Sequence, residues 1–529
     1  MTTIGVLAIA TTAFILFLDS AFEGQAWQKV PPEQLGFDSD TFSEMLADIE
    51  ANDHKIHGIV VMREQQIAFE QYFPPYQADT LHSFKSVSKS VTSILVGIAI
   101  SEGKLSLDTT VYEVFPEAFE GVEDPRKKEI TVRHLLTMTP GFELTDEDPE
   151  VEEYTSEDWI KKYMQHPLKY DPGEKFSYFS PTTNLLTAIL TEKIERYLWE
   201  YAREKLFIPL EIEDIYWARG PLGYLRGGSG IYSTPREMAK IGLLYMNDGK
   251  YEEKQIVDKN WVRESVKNQI GDTFADYEGL QNMKYGYQWW VPDSDHFMAL
   301  GWGGQIIFVV PDLKMVVVKT GGDYFESNLI ERYIFPALKS YFWPLPEAPE
   351  KYQKLQELSE SLQNPAPSQD FLIPELARSI DDQEYICDDE LLKFVTNQPE
   401  GDVKQSGEFL IHRTYTLPDK KENTLTIPVG LDGLYRHSKV NSHYLPIEEE
   451  FNDLETVTVS TIGEWQDRKT LLVETQILGL PLYEEWQFHF EGENRLNWDI
   501  TFKPRGPKYS LKCTERFGSD RPFEGMNSQ

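Results

Sequence analysis

The apolar residues in the first two thirds of the chain alternate between a strand period and a helix period. Residues 58–72 and 306–318 each contain two apolar runs separated by a short polar turn, which predicts a β-hairpin. After Ser86, apolar residues recur at helical spacing until Glu102 and Gly103. A helix is therefore predicted to begin at Ser86 and to end at Glu102 and Gly103. Strands at both ends with helices between them predict an α+β fold, an antiparallel sheet flanked by a helical region.

The pattern changes after residue 342. Residues 343–369 are rich in proline and polar residues, which predicts a linker with one short polar helix. Residues 370–520 consist of short segments of high β propensity separated by turn residues, which predicts an all-β domain, a barrel or a sandwich. The chain is thus predicted to contain a domain over residues 31–342, a linker and this all-β domain.

The first residues of the chain bear on its location. Residues 4–18 form an apolar run that is too short to span a bilayer comfortably and has the length of a signal-peptide core. Small residues follow at Gly24 and Ala26, so residues 1–26 are predicted to be a cleaved export signal, and the protein to be periplasmic or extracellular. The run lacks a preceding lysine or arginine, which leaves an uncleaved anchor or a buried helix as alternatives. Membrane association is expected only if the segment is retained.

Composition and charge narrow the classes of partner. The 529 residues are 40% hydrophobic and 13% aromatic, which is typical of a folded protein of two to three domains. The formal net charge is −36, and no run of lysines and arginines offers a basic footprint, so we expect no nucleic-acid partner. Cys387 and Cys513 are the only cysteines, which excludes a zinc site built from cysteines. One disulfide in an exported protein and two buried thiols both remain open.

Ser86 and Lys89 form the first candidate for chemistry, a Ser-x-x-Lys motif at the start of the predicted helix. The lysine falls one turn after the serine on the same helix face, where it can take the proton of the hydroxyl and make it a nucleophile. A second match, Ser101 to Lys104, lies at a glycine-containing helix exit that lacks this geometry. The alternative for the first motif is structural, with Ser86 capping a helix and Lys89 in solvent.

Two further segments are candidates for the same chemistry. Tyr178 precedes a helix predicted to open at Asn184, and a phenol at such a junction can relay a proton. The Gly-rich residues 301–305 lead into an apolar strand, and a backbone N–H there could pair with that of Ser86 to bind an oxyanion. A tyrosine packed in the core and an ordinary glycine loop are the respective alternatives.

These segments together resemble a known family. Residues 84–90 resemble the nucleophile segment of the β-lactamase-like serine hydrolases, in particular class C β-lactamases, family VIII carboxylesterases and nylon-oligomer hydrolases. Other segments resemble family motifs in family order, over about residues 34–338: residues 134–142, 172–178, 227–234, 285–290 and 301–305. The resemblance implies a β-lactamase/transpeptidase-like antiparallel sheet with a helical subdomain.

The resemblance also implies a mechanism. Ser86 would be acylated, Lys89 would be the base, and Tyr178 would assist proton transfer. The backbone amides of Ser86 and Gln305 would form the oxyanion hole. No cofactor and no metal ion are implied.

Two departures from the family pattern bear on the substrate. Ser180 stands where the family most often has asparagine, and Trp302, Gly303 and Gly304 replace the Lys-Thr-Gly of β-lactamases, as in the esterases. These four residues are predicted to line the substrate pocket. The missing cation favours an ester or small-amide substrate over a carboxylated β-lactam, although Lys319 could still lie near the cleft.

Several alternatives stay open or are excluded. A β-lactamase or D-Ala-D-Ala peptidase activity and a non-catalytic binding protein on the same scaffold are the alternatives to ester or amide hydrolysis. A nucleophile-elbow hydrolase is excluded because Ser229 lacks the second glycine of Gly-x-Ser-x-Gly, and no His-Glu-x-x-His zinc motif occurs. The all-β domain is expected to act as a lid or a packing element, with binding of a polymer or a partner as the alternative. The oligomeric state is left open.

Overall fold

The structure is a computed structural model, and only part of the chain is described. The described residues are 27–144, 158–271, 283–292, 295–322, 329–342, 344–388, 390–395, 397–398, 401–402, 407–416, 422–441, 456–481, 483–503 and 508–516. The predicted export signal lies outside these ranges. The chain forms two compact units. The first unit contains the described residues before 73 and those within 84–320 and 325–359, and the second contains those within 73–83, 321–324 and 360–529.

The α-helices are short apart from five of 12 to 15 residues. They are α1 (Ser39–Ala51), α2 (Ser88–Ser101), α3 (Val111–Val114), α4 (Val132–Leu136), α5 (Trp159–Gln165), α6 (Ser180–Ile194), α7 (Leu198–Ala202), α8 (Pro235–Met246), α9 (Lys259–Ser265), α10 (Phe335–Ala337), α11 (Pro349–Gln363) and α12 (Glu375–Ser379).

The strands of the first half of the chain are followed by those of an all-β region. They are β1 (Ile56–Arg63), β2 (Gln66–Tyr72), β3 (His82–Ser83), β4 (Ile215–Trp217), β5 (Ile231–Ser233), β6 (Lys250–Tyr251), β7 (Lys254–Gln255), β8 (Lys284–Tyr285), β9 (Trp290–Val291), β10 (Phe297–Gly301), β11 (Gln305–Val310), β12 (Met315–Gly321), β13 (Glu384–Cys387), β14 (Glu390–Val395), β15 (Asn397–Gln398), β16 (Gly401–Asp402), β17 (Glu408–Thr416), β18 (Glu422–Gly430), β19 (Arg436–Asn441), β20 (Thr456–Trp465), β21 (Thr470–Ile477), β22 (Tyr483–Phe490), β23 (Arg495–Lys503) and β24 (Lys508–Glu515).

The first unit is built on a seven-stranded antiparallel sheet with the order β2-β1-β12-β11-β10-β9-β8. Both predicted hairpins are present, as β1–β2 and β11–β12. Strand β10 was not predicted, and it turns the Gly-rich residues 301–305 into the tip of a further hairpin, with Gly301 opposite Gln305. Helices α2 to α9 lie in the chain between β2 and β8 and supply the helical part of the unit.

Helix α2 is a core helix, because its apolar residues surround it on every side. Val91, Ile94, Leu95 and Val96 are fully buried. Such a helix is held by packing rather than by an amphipathic contact with solvent. It therefore supports the residues of its first turn, which include Lys89, in a rigid position.

The second unit is an all-β barrel, as predicted. Its ten-stranded sheet has the order β18-β17-β14-β13-β24-β23-β22-β21-β20-β19, and a further pairing of β18 with β20 closes nine strands into a ring. Cys387 and Cys513 pair directly across β13 and β24 and form a disulfide. The short helix α12 was not predicted. Within the described ranges of the whole chain, no helix is both long and apolar enough to cross a membrane.

Candidate active site

Ser86 lies in a turn of 3-10 helix, Lys85–Val87, which runs directly into α2. Lys85 has a positive φ of 47°, so the chain bends sharply immediately before the serine. The amide of Phe84 donates to the carbonyl of Ile231 at 2.9 Å and anchors the start of the turn. Ser86 is half-buried at the beginning of a helix, where backbone N–H groups point toward an incoming anion.

Lys89 is the buried centre of the site. It is 1% exposed. Lysine is seldom buried unless its ammonium or amine group has polar partners. Its Nζ lies 2.8 Å from each of three oxygens, the Oγ of Ser86, the Oγ of Ser180 and the carbonyl of Gly228. The structure therefore brings the predicted nucleophile and the predicted base into direct hydrogen-bond contact. The structural alternative, a lysine in solvent, is wrong.

Tyr178 lies beside this lysine. The Nζ of Lys89 is 4.8 Å from the centre of the tyrosine ring. The ring stacks on that of Trp290 at 5.6 Å and meets the edge of Tyr285 at 6.3 Å. Tyr178 is 8% exposed, so an aromatic cluster fixes the ring next to the Lys89 amine.

Helix α6 begins at Ser180, one turn earlier than predicted. Pro181 occupies the first turn, where a missing N–H costs no hydrogen bond. Ser180 Oγ contacts Lys89, and Ser180 also lines a cavity of about 150 Å³ together with Asn184, Arg226 and Ser229. This serine, which was predicted as a pocket residue, is thus part of the surroundings of the base as well.

The Gly-rich hairpin approaches the nucleophile from the sheet. A Cβ added to Gly301 would lie 2.3 Å from the carbonyl oxygen of Phe84, so only glycine allows β10 to pass this close. Gln305, whose amide is the predicted oxyanion donor, is fully buried and pairs with Gly301. The distances thus place Gly301 itself against the nucleophile segment.

The three residues at the tip of this hairpin were predicted to line the pocket. Gly303 and Gly304 have φ values of 78° and 80°, which explains the two glycines. The carbonyl of Trp302 accepts from the side chain of Gln305 at 3.1 Å. Trp302, Gly303 and Gly304 do not line the cavity at Ser180.

Gln288 connects the helices that carry the site, a role that was not predicted from the sequence. Its Nε2 donates to the carbonyls of Leu135 and Leu136 at 3.1 and 2.9 Å. Its Oε1 accepts from Thr183 on α6 at 2.7 Å, and its carbonyl accepts from Ser90 on α2 at 2.7 Å. One buried glutamine thus connects α4 and α6 through its side-chain amide and α2 through its backbone carbonyl. The only sequence signal is its place within residues 285–290, which resemble a family motif.

The structure also places two other candidates from the sequence. Ser101 of the second Ser-x-x-Lys motif donates to the carbonyl of Gly97 within α2 at 3.0 Å, which is a structural contact. Lys319 is 3% exposed on β12, where it pairs with Ile306, next to Gln305. In the part of the chain that the structure describes, no group of three His, Cys, Asp or Glu side chains is placed to hold a metal ion.

The chain is similar to one family model and to several known proteins. The model of the family described as Beta-lactamase matches residues 40–321. The 6-aminohexanoate-dimer hydrolase of Paenarthrobacter ureafaciens is 25% identical over an alignment of 289 residues that covers 49% of this chain and 71% of that protein. Esterase EstB of Burkholderia gladioli is 25% identical over 137 residues, 23% of this chain and 35% of that one.

A solved structure shows the fold. A beta-lactamase-like protein of Bacteroides dorei superimposes with a TM-score of 0.50 at 17% sequence identity, over 57% of this chain and 100% of that one. The antiparallel sheet with its helices therefore has the β-lactamase/transpeptidase-like fold that the sequence predicted.

Proposed function

Because this chain belongs to the beta-lactamase family of serine hydrolases, we propose that it cleaves an ester or a small amide through an acyl-enzyme on Ser86. The observation that carries the proposal is the 2.8 Å contact between Lys89 Nζ and Ser86 Oγ. A serine hydroxyl needs a neighbouring base to become a nucleophile. Lys89 is buried beside that hydroxyl, and in the proposed reaction its amine is neutral when it accepts the proton.

The proposed reaction has two steps. Ser86 Oγ attacks the carbonyl carbon of the substrate while its proton passes to Lys89 Nζ. The amides of Ser86 and Gln305 hold the oxyanion that forms. The bond to the leaving group then breaks, the alcohol or amine takes the proton with the help of Tyr178, and water hydrolyses the acyl-enzyme by the reverse sequence of proton transfers.

The substrate class follows from the relatives and from the residues that replace the Lys-Thr-Gly motif. Among the relatives are a protein named as a 6-aminohexanoate-dimer hydrolase and one named as an esterase. The hairpin tip of Trp302, Gly303 and Gly304 offers no cation to a substrate carboxylate. We therefore favour a small ester or amide over a β-lactam or a D-Ala-D-Ala peptide.

The test is covalent labelling with a serine-reactive fluorophosphonate, followed by peptide mapping by mass spectrometry. We expect one adduct, on Ser86, and no labelling of Ser86→Ala. Ser101→Ala is the matched control, because it alters the second Ser-x-x-Lys motif, and it should label like the wild type. An adduct on another serine, or equal labelling of Ser86→Ala, would overturn the proposal.

A further inference from the structure

We infer that Asn184 is a positioning residue for the base, acting through the backbone of Gly228. Asn184 Oδ1 accepts a hydrogen bond from the Gly228 amide at 2.9 Å, and the Gly228 carbonyl accepts from Lys89 Nζ at 2.8 Å. The inference rests on the proposed function, in which Lys89 takes the proton of Ser86.

The chemistry of the amine explains why the Gly228 carbonyl matters. A neutral amine has two N–H donors and one lone pair. Of the three oxygens at 2.8 Å from Lys89 Nζ, the carbonyl of Gly228 alone can only accept. When Gly228 and Ser180 take the two N–H groups, the lone pair faces the hydroxyl of Ser86. Loss of the carbonyl would let the amine rotate and turn an N–H toward Ser86.

The first two turns of α6 position both acceptors of the Lys89 amine, the Oγ of Ser180 and the carbonyl of Gly228. Ser180 and Asn184 are four residues apart, so they lie on one face of the helix. Ser180 contacts Lys89 directly, and Asn184 contacts it through Gly228. A Cβ on Gly228 would lie 2.8 Å from the Ser180 carbonyl and 3.3 Å from Asn184 Oδ1, so the glycine fits closely against this face.

Other contacts hold the same segment but do not reach the acceptor of Lys89. Thr187 Oγ1, one turn further along α6, lies 2.6 Å from the carbonyl of Leu225 and 2.7 Å from that of Asn184, and it can donate its one proton to either. Thr92 Oγ1 donates to the carbonyl of Gly227 at 3.2 Å. Thr187 therefore offers a matched control on the same helix and the same segment, because its loss removes these backbone contacts and leaves Asn184 Oδ1 to accept from the Gly228 amide.

The test compares Asn184→Ala, Asn184→Asp and Thr187→Val in the full-length protein. The readout is the rate at which the fluorophosphonate labels Ser86 as a function of pH, with thermal unfolding measured in parallel. In Asn184→Ala we expect the limiting rate at high pH to fall by about 10- to 100-fold, as for a lost buried hydrogen bond to a functional group. Thr187→Val should keep the wild-type rate even if it lowers the unfolding temperature.

Asn184→Asp separates positioning from folding. It keeps an oxygen acceptor for the Gly228 amide, so its limiting rate at high pH should stay near that of the wild type. Its negative charge favours the ammonium form of Lys89, so the rise of the rate with pH should move to higher pH. A wild-type limiting rate in Asn184→Ala, or an equal loss in Thr187→Val, would overturn the inference. Failure of the wild type to label at Ser86 would instead overturn the proposed function, and the inference with it.

Discussion

Lys89 Nζ is as close to Ser180 Oγ as to the Oγ of Ser86, at 2.8 Å in each case. The base therefore bridges the start of α2 and the start of α6, and Lys89 and Ser180 are 91 residues apart along the chain. Ser180, which stands where the family most often has asparagine, is thus in contact with the base.

Ser180→Ala removes this acceptor, and we expect it to lower the rate of Ser86 labelling and of ester turnover by about 10- to 100-fold, the cost of a lost hydrogen bond to a charged or charge-developing group. Ser177→Ala is the control, because Ser177 Oγ donates to the carbonyl of Leu144 at 2.6 Å and loses a bond of the same type away from Lys89. Equal losses in both variants would contradict a specific role for Ser180.

Gly301 sets how closely the hairpin approaches the nucleophile. In Gly301→Ala the added Cβ would meet the Phe84 carbonyl, which forces β10 away and disturbs the oxyanion hole. We expect kcat for a nitrophenyl ester to fall by about a hundredfold or more, as when an oxyanion donor is lost. Gly103→Ala should lower stability through its φ of 71° but keep kcat, because nothing lies within 4 Å of its added Cβ. Unchanged kcat in Gly301→Ala would refute this role.

Elements with a strong local signal could be predicted from the sequence. The hairpins β1–β2 and β11–β12 and the core helix α2 follow from apolar periodicity and clear turns. Strand β10 escaped prediction because its Met298, Ala299 and Leu300 favour helix as much as strand, and only pairing with β11 decides between them. The Gly228 carbonyl escaped because a backbone acceptor leaves no residue-specific signal.

Domain boundaries depend on contacts between residues far apart in the chain. Residues 73–83 group with the barrel, since Tyr76 Oη donates to the carbonyl of Leu480 at 2.9 Å and accepts from Gln476 Nε2 at 2.6 Å. No local pattern near residue 73 signals these contacts. The division into residues 31–342, 343–369 and 370–520 stays a prediction, as do the export signal and the roles assigned to Tyr178 and Gln305.

The stability of the first unit should depend on pH through His134. Burial lowers the pKa of His134 below its usual 6.5, and the charge of Arg133 lowers it further. Its Nδ1 accepts from the Thr131 amide at 3.2 Å, which requires the unprotonated nitrogen. Because the unfolded chain binds this proton more readily, the contribution of His134 is complete above pH 6.5 and is lost as the pH falls through its lower folded value.

His134→Gln tests this linkage, because glutamine preserves a capping side chain at the start of α4 but does not titrate. The free energy of unfolding in urea, measured at a series of pH values below neutrality, should fall less steeply in His134→Gln than in the wild type. Parallel slopes for the two proteins would show that His134 does not carry the effect.

The disulfide should stabilise the barrel. Cys387 and Cys513 are 126 residues apart, and a cross-link over so long a segment restricts the unfolded chain strongly. We expect replacement of both cysteines by serine to lower the free energy of unfolding by about 2–5 kcal/mol. Two free thiols, detected by titration of the unreduced denatured protein, would contradict the disulfide.

The predicted export signal has a test of its own. N-terminal sequencing of the expressed protein that finds Met1 would count against export.

Substrate preference gives the sharpest test of the proposed activity. Short-chain nitrophenyl esters should be hydrolysed with a kcat/KM well above that for a chromogenic cephalosporin, because Trp302, Gly303 and Gly304 supply no cation for the cephalosporin carboxylate. The Lys319→Met variant is the companion measurement, since Lys319 is buried beside Gln305. We expect it to leave the ratio of the two kcat/KM values unchanged. Efficient cephalosporin hydrolysis that is lost in Lys319→Met would instead establish a β-lactamase in which this lysine binds the substrate carboxylate.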